Sequence, residues 1–326
     1  RIRINASPME QLKQTAAMFC GQSLPVASWE SIVFPRRVHE YREGLLDKLL
    51  AEGDFFWQMH PDKTLSFFRC EDIDWDDSGT DSDSGPGIRS DSTGRAAKSP
   101  EREEEIVYKE LCRRGASFLK ALSKIPVTGD IRDLLVQLAE KGMVCADSFV
   151  PVRQWLNRDK LKKATARQRV NARVASLSAG RWDIIHPLKK ESMEDMLEEF
   201  FRENRILCRE TFRRSLLLRG NAGQTSPDDS PAGWSSALEL LRIWEITGRV
   251  RRGYFVKGLS GAQYIRKEDY EGTIHALACP DEDVIWLNAA DPAQIWGKVL
   301  EHREGRSFLN VPGTAVALRG GIPVMV

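Results

Sequence analysis

The chain has 326 residues, 41% hydrophobic and 29% charged, which is the composition of a soluble globular protein with room for two or three domains. Its net charge of +1 neither points to nucleic acid nor excludes it. No run approaches the roughly 18 apolar residues of a membrane span, and Arg1-Ile2-Arg3-Ile4-Asn5 lacks the apolar core of an export signal. A cytoplasmic protein without membrane attachment is expected. The chain starts without Met and ends in the apolar run Ile322-Pro323-Val324-Met325-Val326, and it is read as a fragment whose last strand lacks its partner.

Residues 1–73 read as a first winged helix. Pro8 to Gly21 and Glu40 to Glu52 have helical apolar spacing, and Gly53 stops the second helix. Phe55 to Met59 and Leu65 to Cys70 then form strands about the turn His60-Pro61-Asp62-Lys63. Residues 74–100 are rich in Asp, Ser and Gly and nearly free of large aliphatics, so they are expected to be an acidic disordered linker. From Glu71 to Glu105 twelve acidic residues face four basic ones, a net −8 that leaves +9 on the rest of the chain. A solvated spacer is the preferred reading of this insert over a DNA mimic.

Residues 101–156 suggest a second winged-helix-like unit, with helices around Ile106 to Leu122 and Ile131 to Leu138 and a strand from Met143 to Phe149. A basic linker is assigned to 157–179. Between Arg153 and Arg173 eight basic residues accompany the single acid Asp159, and Lys160, Lys162 and Lys163 there would attract phosphate without sequence preference. Residues 180–271 form the best-defined winged helix. Ser192 and Asp195 resemble a capping box ahead of a helix from Met193 to Arg205. Helices Arg209 to Arg219 and Trp234 to Thr247 follow, and Gly248 ends the last of these. Arg249 to Val256 and Ala262 to Ile265 make a wing around Lys257-Gly258-Leu259-Ser260-Gly261. In residues 272–326, short β-prone runs at Val284 to Leu287, Phe308 to Val311, Thr314 to Leu318 and Ile322 to Val326 suggest a small sheet or truncated barrel. The expected fold is helix-rich α+β: tandem winged-helix units followed by a truncated β-barrel-like module.

The six cysteines are widely spaced, with neither a Cys-x-x-Cys pair nor a His at zinc-ligand spacing, so reduced thiols and no metal site are expected. No Gly-x-x-x-x-Gly-Lys-Ser/Thr loop is present to cradle nucleotide phosphates, and ATP hydrolysis is not assigned to this segment.

The string from Gly248 to Tyr264 (GRVRRGYFVKGLSGAQY) resembles the C-terminal region of Lhr-type (large helicase-related) helicases. Further matches, in the family's order, are Trp29-Glu30 with Pro35-Arg36-Arg37-Val38, Arg114-Gly115-Ala116-Ser117-Phe118, Gly142-Met143-Val144 with Asp147-Ser148-Phe149, Gly180-Arg181-Trp182 and Ala289-Ala290-Asp291-Pro292. The resemblance implies successive winged helices leading into a β-barrel-like module, a region similar in turn to DNA glycosylases of the AlkZ/YcaQ type. It also implies a parent protein with an ATP-dependent DNA translocase acting in DNA repair. ATP and magnesium are expected for that motor, outside this segment. The long acidic insert, the polar loop Asn221 to Gly233 and the end of the chain within the β module depart from the pattern, which puts self-sufficient catalysis in doubt.

DNA, single-stranded or forked, is the expected partner, with a homo-oligomer as an alternative use of the winged helices. In the wing, Arg249, Arg251, Arg252 and Lys257 are placed to meet phosphates, or else some of the arginines pair with Glu245 or Glu239. The helix from Trp234 is too apolar to read a groove and is expected to pack inside. Tyr254 and Phe255 should face opposite sides of a strand, one buried and one exposed for base stacking. Trp29, Trp155, Trp182, Trp234 and Trp296 are weaker stacking candidates, more often core. Gln263 is nominated for a polar base or backbone contact. Asp291 is the one acid nominated for glycosylase chemistry, although Asp291-Pro292 reads first as a helix cap.

Overall fold

The computed structural model describes residues 6–76, 102–162, 165, 167, 168, 180–219 and 233–326, which fall into two compact units, Arg1–Lys189 and Lys190–Val326. Among the described residues no helix is long and apolar enough to cross a membrane.

In the first unit, α1 (Pro8–Met18) starts on Ser7, whose side chain accepts from the Glu10 amide, with Pro8 in the first turn. It is followed by β1 (Leu24–Pro25), α2 (Val26–Ser28) running into a π-helical turn (Trp29–Val33), α3 (Glu43–Glu52), β2 (Phe55–Met59) and β3 (Thr64–Arg69). Gly53, at φ +84°, stops α3. The strands order as β1-β3-β2, the winged-helix arrangement. All five residues of β2 are buried, where a half-exposed strand would alternate. The reason is a second domain on its outer face. Trp57 Nε1 donates to the Ser148 carbonyl at 3.1 Å and Gln58 Nε2 to the Gly142 carbonyl at 3.0 Å.

That second domain consists of α4 (Arg102–Arg114), β4 (Ser117–Phe118), α5 (Leu119–Leu122), α6 (Ile131–Glu140), β5 (Val144–Ala146), α7 (Val150–Leu156), α8 (Arg158–Lys162) and β6 (Arg181–Ile184). Its strands order as β4-β6-β5, repeating the first domain. The boundary expected at residue 180 is therefore wrong. Residues 181–184 supply the third strand of this winged helix, and the basic run lies between its wing strands, not between domains. Asp147 and Gly180 close the base of the wing. The Asp147 carboxylate accepts from the Arg181 amide at 2.5 Å and from its Nε at 2.8 Å. Gly180 has φ +82°, and a Cβ there would collide with Asp147. Ile73 bridges to Leu188, and Trp75 packs on His186, so the chain rejoins this domain where the acidic insert begins. Residues 77–101, which hold most of that insert, lie outside the described residues.

The second unit holds α9 (Met193–Glu203), α10 (Arg209–Leu218), α11 (Trp234–Ile246), β7 (Val250–Gly253), β8 (Gln263–Arg266) and α12 (Lys267–Ala278). The capping box of α9 forms as expected. Its first wing-sheet strand is reduced to one bridge, Leu207 to Tyr264. The core gathers Leu197, Phe200, Phe201, Phe212, Leu241, Trp244 and Tyr264. Then β9 (Val284–Asn288), β10 (Ala315–Arg319) and β11 (Ile322–Met325) form an antiparallel sheet ordered β11-β10-β9. Among the described residues this sheet does not close into a barrel. The run Phe308 to Val311 is not a strand. Asn310 instead holds loop groups, with Nδ2 donating to the Gly297 carbonyl at 3.2 Å and Oδ1 accepting from Gln294.

Arg153 of α7 fastens the two domains of the first unit. It donates to Glu30 at 2.8 and 2.9 Å and to Asp47 at 2.6 Å, with its side chain 13% exposed. Removing the guanidinium from such a cluster leaves the half-buried carboxylates of Glu30 and Asp47 without their main partner. Arg153→Ala is expected to destabilise the first unit by about 2–3 kcal/mol, measured by chemical denaturation, whereas a change under about 0.5 kcal/mol would mean the cluster is solvated.

Candidate nucleic-acid interface

A winged helix reads a DNA groove with its third helix. In all three domains here that helix carries a net negative charge. Glu43, Asp47 and Glu52 outnumber Lys48 in α3, Asp133 and Glu140 outnumber Arg132 in α6, and Glu239 and Glu245 outnumber Arg242 in α11. In α3 the approach is also occupied. Asp47 accepts from Ser148 Oγ at 3.0 Å and from the Phe149 amide at 2.7 Å, capping the start of α7. The inner face of α11 is core (Ala237, Leu241, Trp244), as expected, but its outer face exposes Ile243 and Ile246.

The positive charge of the second unit lies elsewhere. Helix α10 carries Arg209, Arg213 and Arg214 against one acid, Glu210. Arg209 and Arg213 are exposed, and Arg213 has no acidic partner among the described residues. Glu210 accepts from the Ser260 amide at 3.1 Å and from its hydroxyl, fixing the wing turn against this helix. Lys257 is exposed on that turn, and Gly258 lies against Leu300.

The wing arginines divide. Arg249 lies over the Trp244 ring at 4.0 Å and pairs with Glu194 at 2.5 Å and Glu198 at 2.9 Å, which together raise its pKa. It ties β7 to α9. Arg252 pairs with Glu245 at 3.2 Å, the alternative foreseen from sequence. Arg251 sits over Tyr270 at 4.3 Å, exposed and without a carboxylate among the described residues. Tyr254 is 83% exposed, while Phe255 is half-buried against Tyr270. The Phe255 ring packs directly over Gly253, and a Cβ there, 2.5 Å from the ring, would push it aside.

Gln263 is not available to a base. It is 1% exposed, its Oε1 accepts from the Phe255 and Val256 amides at 2.8 and 2.9 Å, and its Nε2 donates to the Val256 carbonyl at 2.9 Å. The side chain does the work of a missing ladder residue across the wing. Trp29, Trp155 and Trp182 are core, and Trp234 and Trp296 are half-buried. Lys160 is exposed on α8, Lys162 ends that helix, and Lys163 lies outside the described residues.

Asp291 is fully buried, but no helix follows it. Its Oδ1 accepts from the Ala293 amide at 2.8 Å, so it caps a turn, not a helix. Two cations that sequence reasoning missed meet that turn. Arg214 donates to the Pro292 carbonyl, and Lys298 Nζ donates to the Asp291 carbonyl at 3.0 Å. Burial, with the Arg214 charge adding to it, lowers the Lys298 pKa to about 8 against the pull of Asp291. The one signal in the sequence was the basic triple on α10; nothing marked Lys298. Among the described residues no group of three or more His, Cys, Asp or Glu gathers to hold a metal.

Two family models match the chain, both described as large helicase-related protein, winged-helix domain. The form for the third such domain matches residues 3–67 and that for the fourth residues 213–277. The winged helix of residues 102–189 lies between them. The chain is 27% identical over 354 aligned positions, covering 97% of it, to the Lhr helicase/probable uracil glycosylase of Mycolicibacterium smegmatis. It is 26% identical over 313 positions, covering 86% of it, to the Lhr helicase/uracil glycosylase of Escherichia coli. It spans about a fifth of the length of these relatives, 22% and 19%.

The Lys298 amine is expected to titrate near pH 8 in the folded chain, and Arg214→Met should move it toward the ordinary 10.5, as followed by NMR of the lysine side chain. The folded pKa lies below the unfolded one, so this group makes stability rise with pH between about 8 and 10.5. Titration at the ordinary value would show that the amine is solvated.

Proposed function

We propose that this chain, which carries two winged-helix domains of the large helicase-related type and aligns along most of its length with Lhr helicases, is the DNA-binding C-terminal region of an ATP-dependent DNA helicase acting in DNA repair. The motor, with its ATP and magnesium, belongs to another part of such a protein. The observation that carries this reading is the placement of exposed positive charge in the second unit. Arg213 on α10, Lys257 on the wing turn and Arg251 on β7 are exposed without carboxylate partners among the described residues, and Tyr254 stands out beside them in the chain. Cations on a second helix and a wing, beside acidic third helices, suit phosphate contact and base stacking without sequence readout.

Binding to single-stranded and forked fluorescent DNA is expected to weaken steeply with salt in an anisotropy titration. Arg213→Glu with Lys257→Glu should weaken it about tenfold or more at low salt, and each lost phosphate contact should flatten the slope of log K against log salt by about 0.7–0.9. Absence of binding at low salt would overturn the reading.

A second reading is favoured by the buried carboxylate of Asp291 between two cations, and by the glycosylase in the names of both relatives. It is a DNA glycosylase activity with Asp291 beside the flipped nucleotide, uracil being the first base to try. A uracil-containing oligonucleotide should gain alkali-cleavable sites, and Asp291→Asn, which keeps the Oδ1 acceptor of the turn, should abolish them while DNA is still bound. Equal cleavage by the variant would remove Asp291 from the chemistry.

A further inference from the structure

We propose that Lys298 is an amine nucleophile that forms an imine with the C1′ aldehyde of an abasic site in DNA. The inference rests on the DNA-binding reading above but not on base removal by this chain, since the abasic site can be supplied ready-made.

The geometry is that of two cations gathered on one turn. Lys298 follows Gly297, which has φ +71° and whose amide donates to the Leu300 carbonyl at 2.7 Å. This tight turn sends the Lys298 side chain back to the Asp291 carbonyl oxygen, 3.0 Å from Nζ. Arg214 reaches the adjacent Pro292 carbonyl from α10. The nearby carboxylate, Asp291, is fully buried, with Oδ1 engaged by the Ala293 amide. Arg214 keeps its charge at this turn when the Lys298 amine is neutral, which suits a phosphate flanking an abasic sugar. Lys298 as a residue reaches the surface, while its amine is partly buried where it meets the Asp291 carbonyl. The wing adjoins the same place, with Gly258 against Leu300.

An amine attacks a carbonyl only when unprotonated. Arg214 and burial oppose the ammonium form, and Asp291 favours it; the balance leaves the pKa at about 8. At pH 7.5 roughly a quarter of such amines are neutral, against roughly one in a thousand for an ordinary lysine. Neutral Nζ adds to C1′, and the carbonyl oxygen takes up a proton. Loss of that oxygen as water leaves the protonated imine. The imine acidifies C2′, whose proton passes to water. The C–H electron pair forms the C2′–C3′ double bond, and the C3′–O bond breaks with its electrons leaving on the 3′ phosphate. Hydrolysis of the imine returns Lys298.

The full chain is incubated with a labelled duplex carrying a preformed abasic site, with sodium cyanoborohydride as reductant. Anisotropy with the matching intact duplex is run beside it. The expected result is a covalent protein–DNA adduct on a denaturing gel, mapped by peptide mass spectrometry to Lys298. Lys298→Arg, which keeps the charge but not the nucleophile, should lower the yield about 20-fold. Arg214→Met should move the pH profile of trapping upward. Intact-duplex binding without an adduct, or an adduct mapped to another amine, overturns the role of Lys298 and leaves the DNA-binding reading standing. No binding of either DNA overturns both.

Discussion

Asp47 sits in the middle of α3, on the helix that a winged helix would ordinarily lay in a groove. Its two oxygens accept from the Ser148 hydroxyl, the Phe149 amide and the Arg153 guanidinium. A carboxylate at a helix start meets unsatisfied amides and the positive end of the helix dipole, so the arrangement is favourable twice over. Its consequence is steric and electrostatic. The first winged helix uses its third helix to hold the second one, and DNA has no access to that face. The burial of every residue in β2 follows from the same docking, as do the hydrogen bonds of Trp57 and Gln58. Gly142 is part of the fit, because a Cβ there would come 3.0 Å from the Met59 carbonyl oxygen.

In the second unit the third helix keeps Ile243 and Ile246 exposed among the described residues, yet it is no better suited to phosphate. Its exposed apolar residues, Ile243 and Ile246, stand beside Glu239 and Glu245. The basic charge has moved to the helix before it and to the wing, and Glu210 and Ser260 lock those two together. Two of the wing arginines do structural duty. Arg249 clamps the strand to α9 across an aromatic ring, and Arg252 answers Glu245. Exposed pairs of this kind add little stability each, but they decide which guanidinium groups begin with a partner. Arg251, without a carboxylate partner among the described residues, differs from its neighbours for that reason alone.

Much of the wing is legible in the sequence. Gly248 ends α11 at φ +75°, Gly258 and Gly261 turn the wing at φ +94° and +67°, and Tyr254 and Phe255 divide into exposed and half-buried. The short strings elsewhere also have physical causes. Gly180-Arg181 and Asp147 meet at the base of one wing, although 34 residues separate them. That separation hides the true boundary from the sequence. A four-residue strand far from its partner resembles the start of the next domain, and a basic run that falls between two strands of one sheet in the sequence resembles a linker. Phe308 to Val311 has β propensity but is not a strand, because Asn310 is held by loop groups. The Gln263 amide suits a base as well as it suits the backbone of a turn, and folding commits it to the turn.

The sequence by itself determined most of the helices, the Ser192 cap, the glycine turns and the charge carried by each element. These depend on residues a few positions apart, where spacing and glycine conformation act directly. Tertiary structure decided which charges remain available. Arg153 finds Glu30 from 123 positions away, and Arg249 finds Glu194 from 55. Lys298 differs from an ordinary lysine because folding buries its amine and α10 brings Arg214 to the same turn. A partner's distance along the chain does not weaken an ion pair once folding has closed the gap, but it removes every local trace of that pair from the sequence.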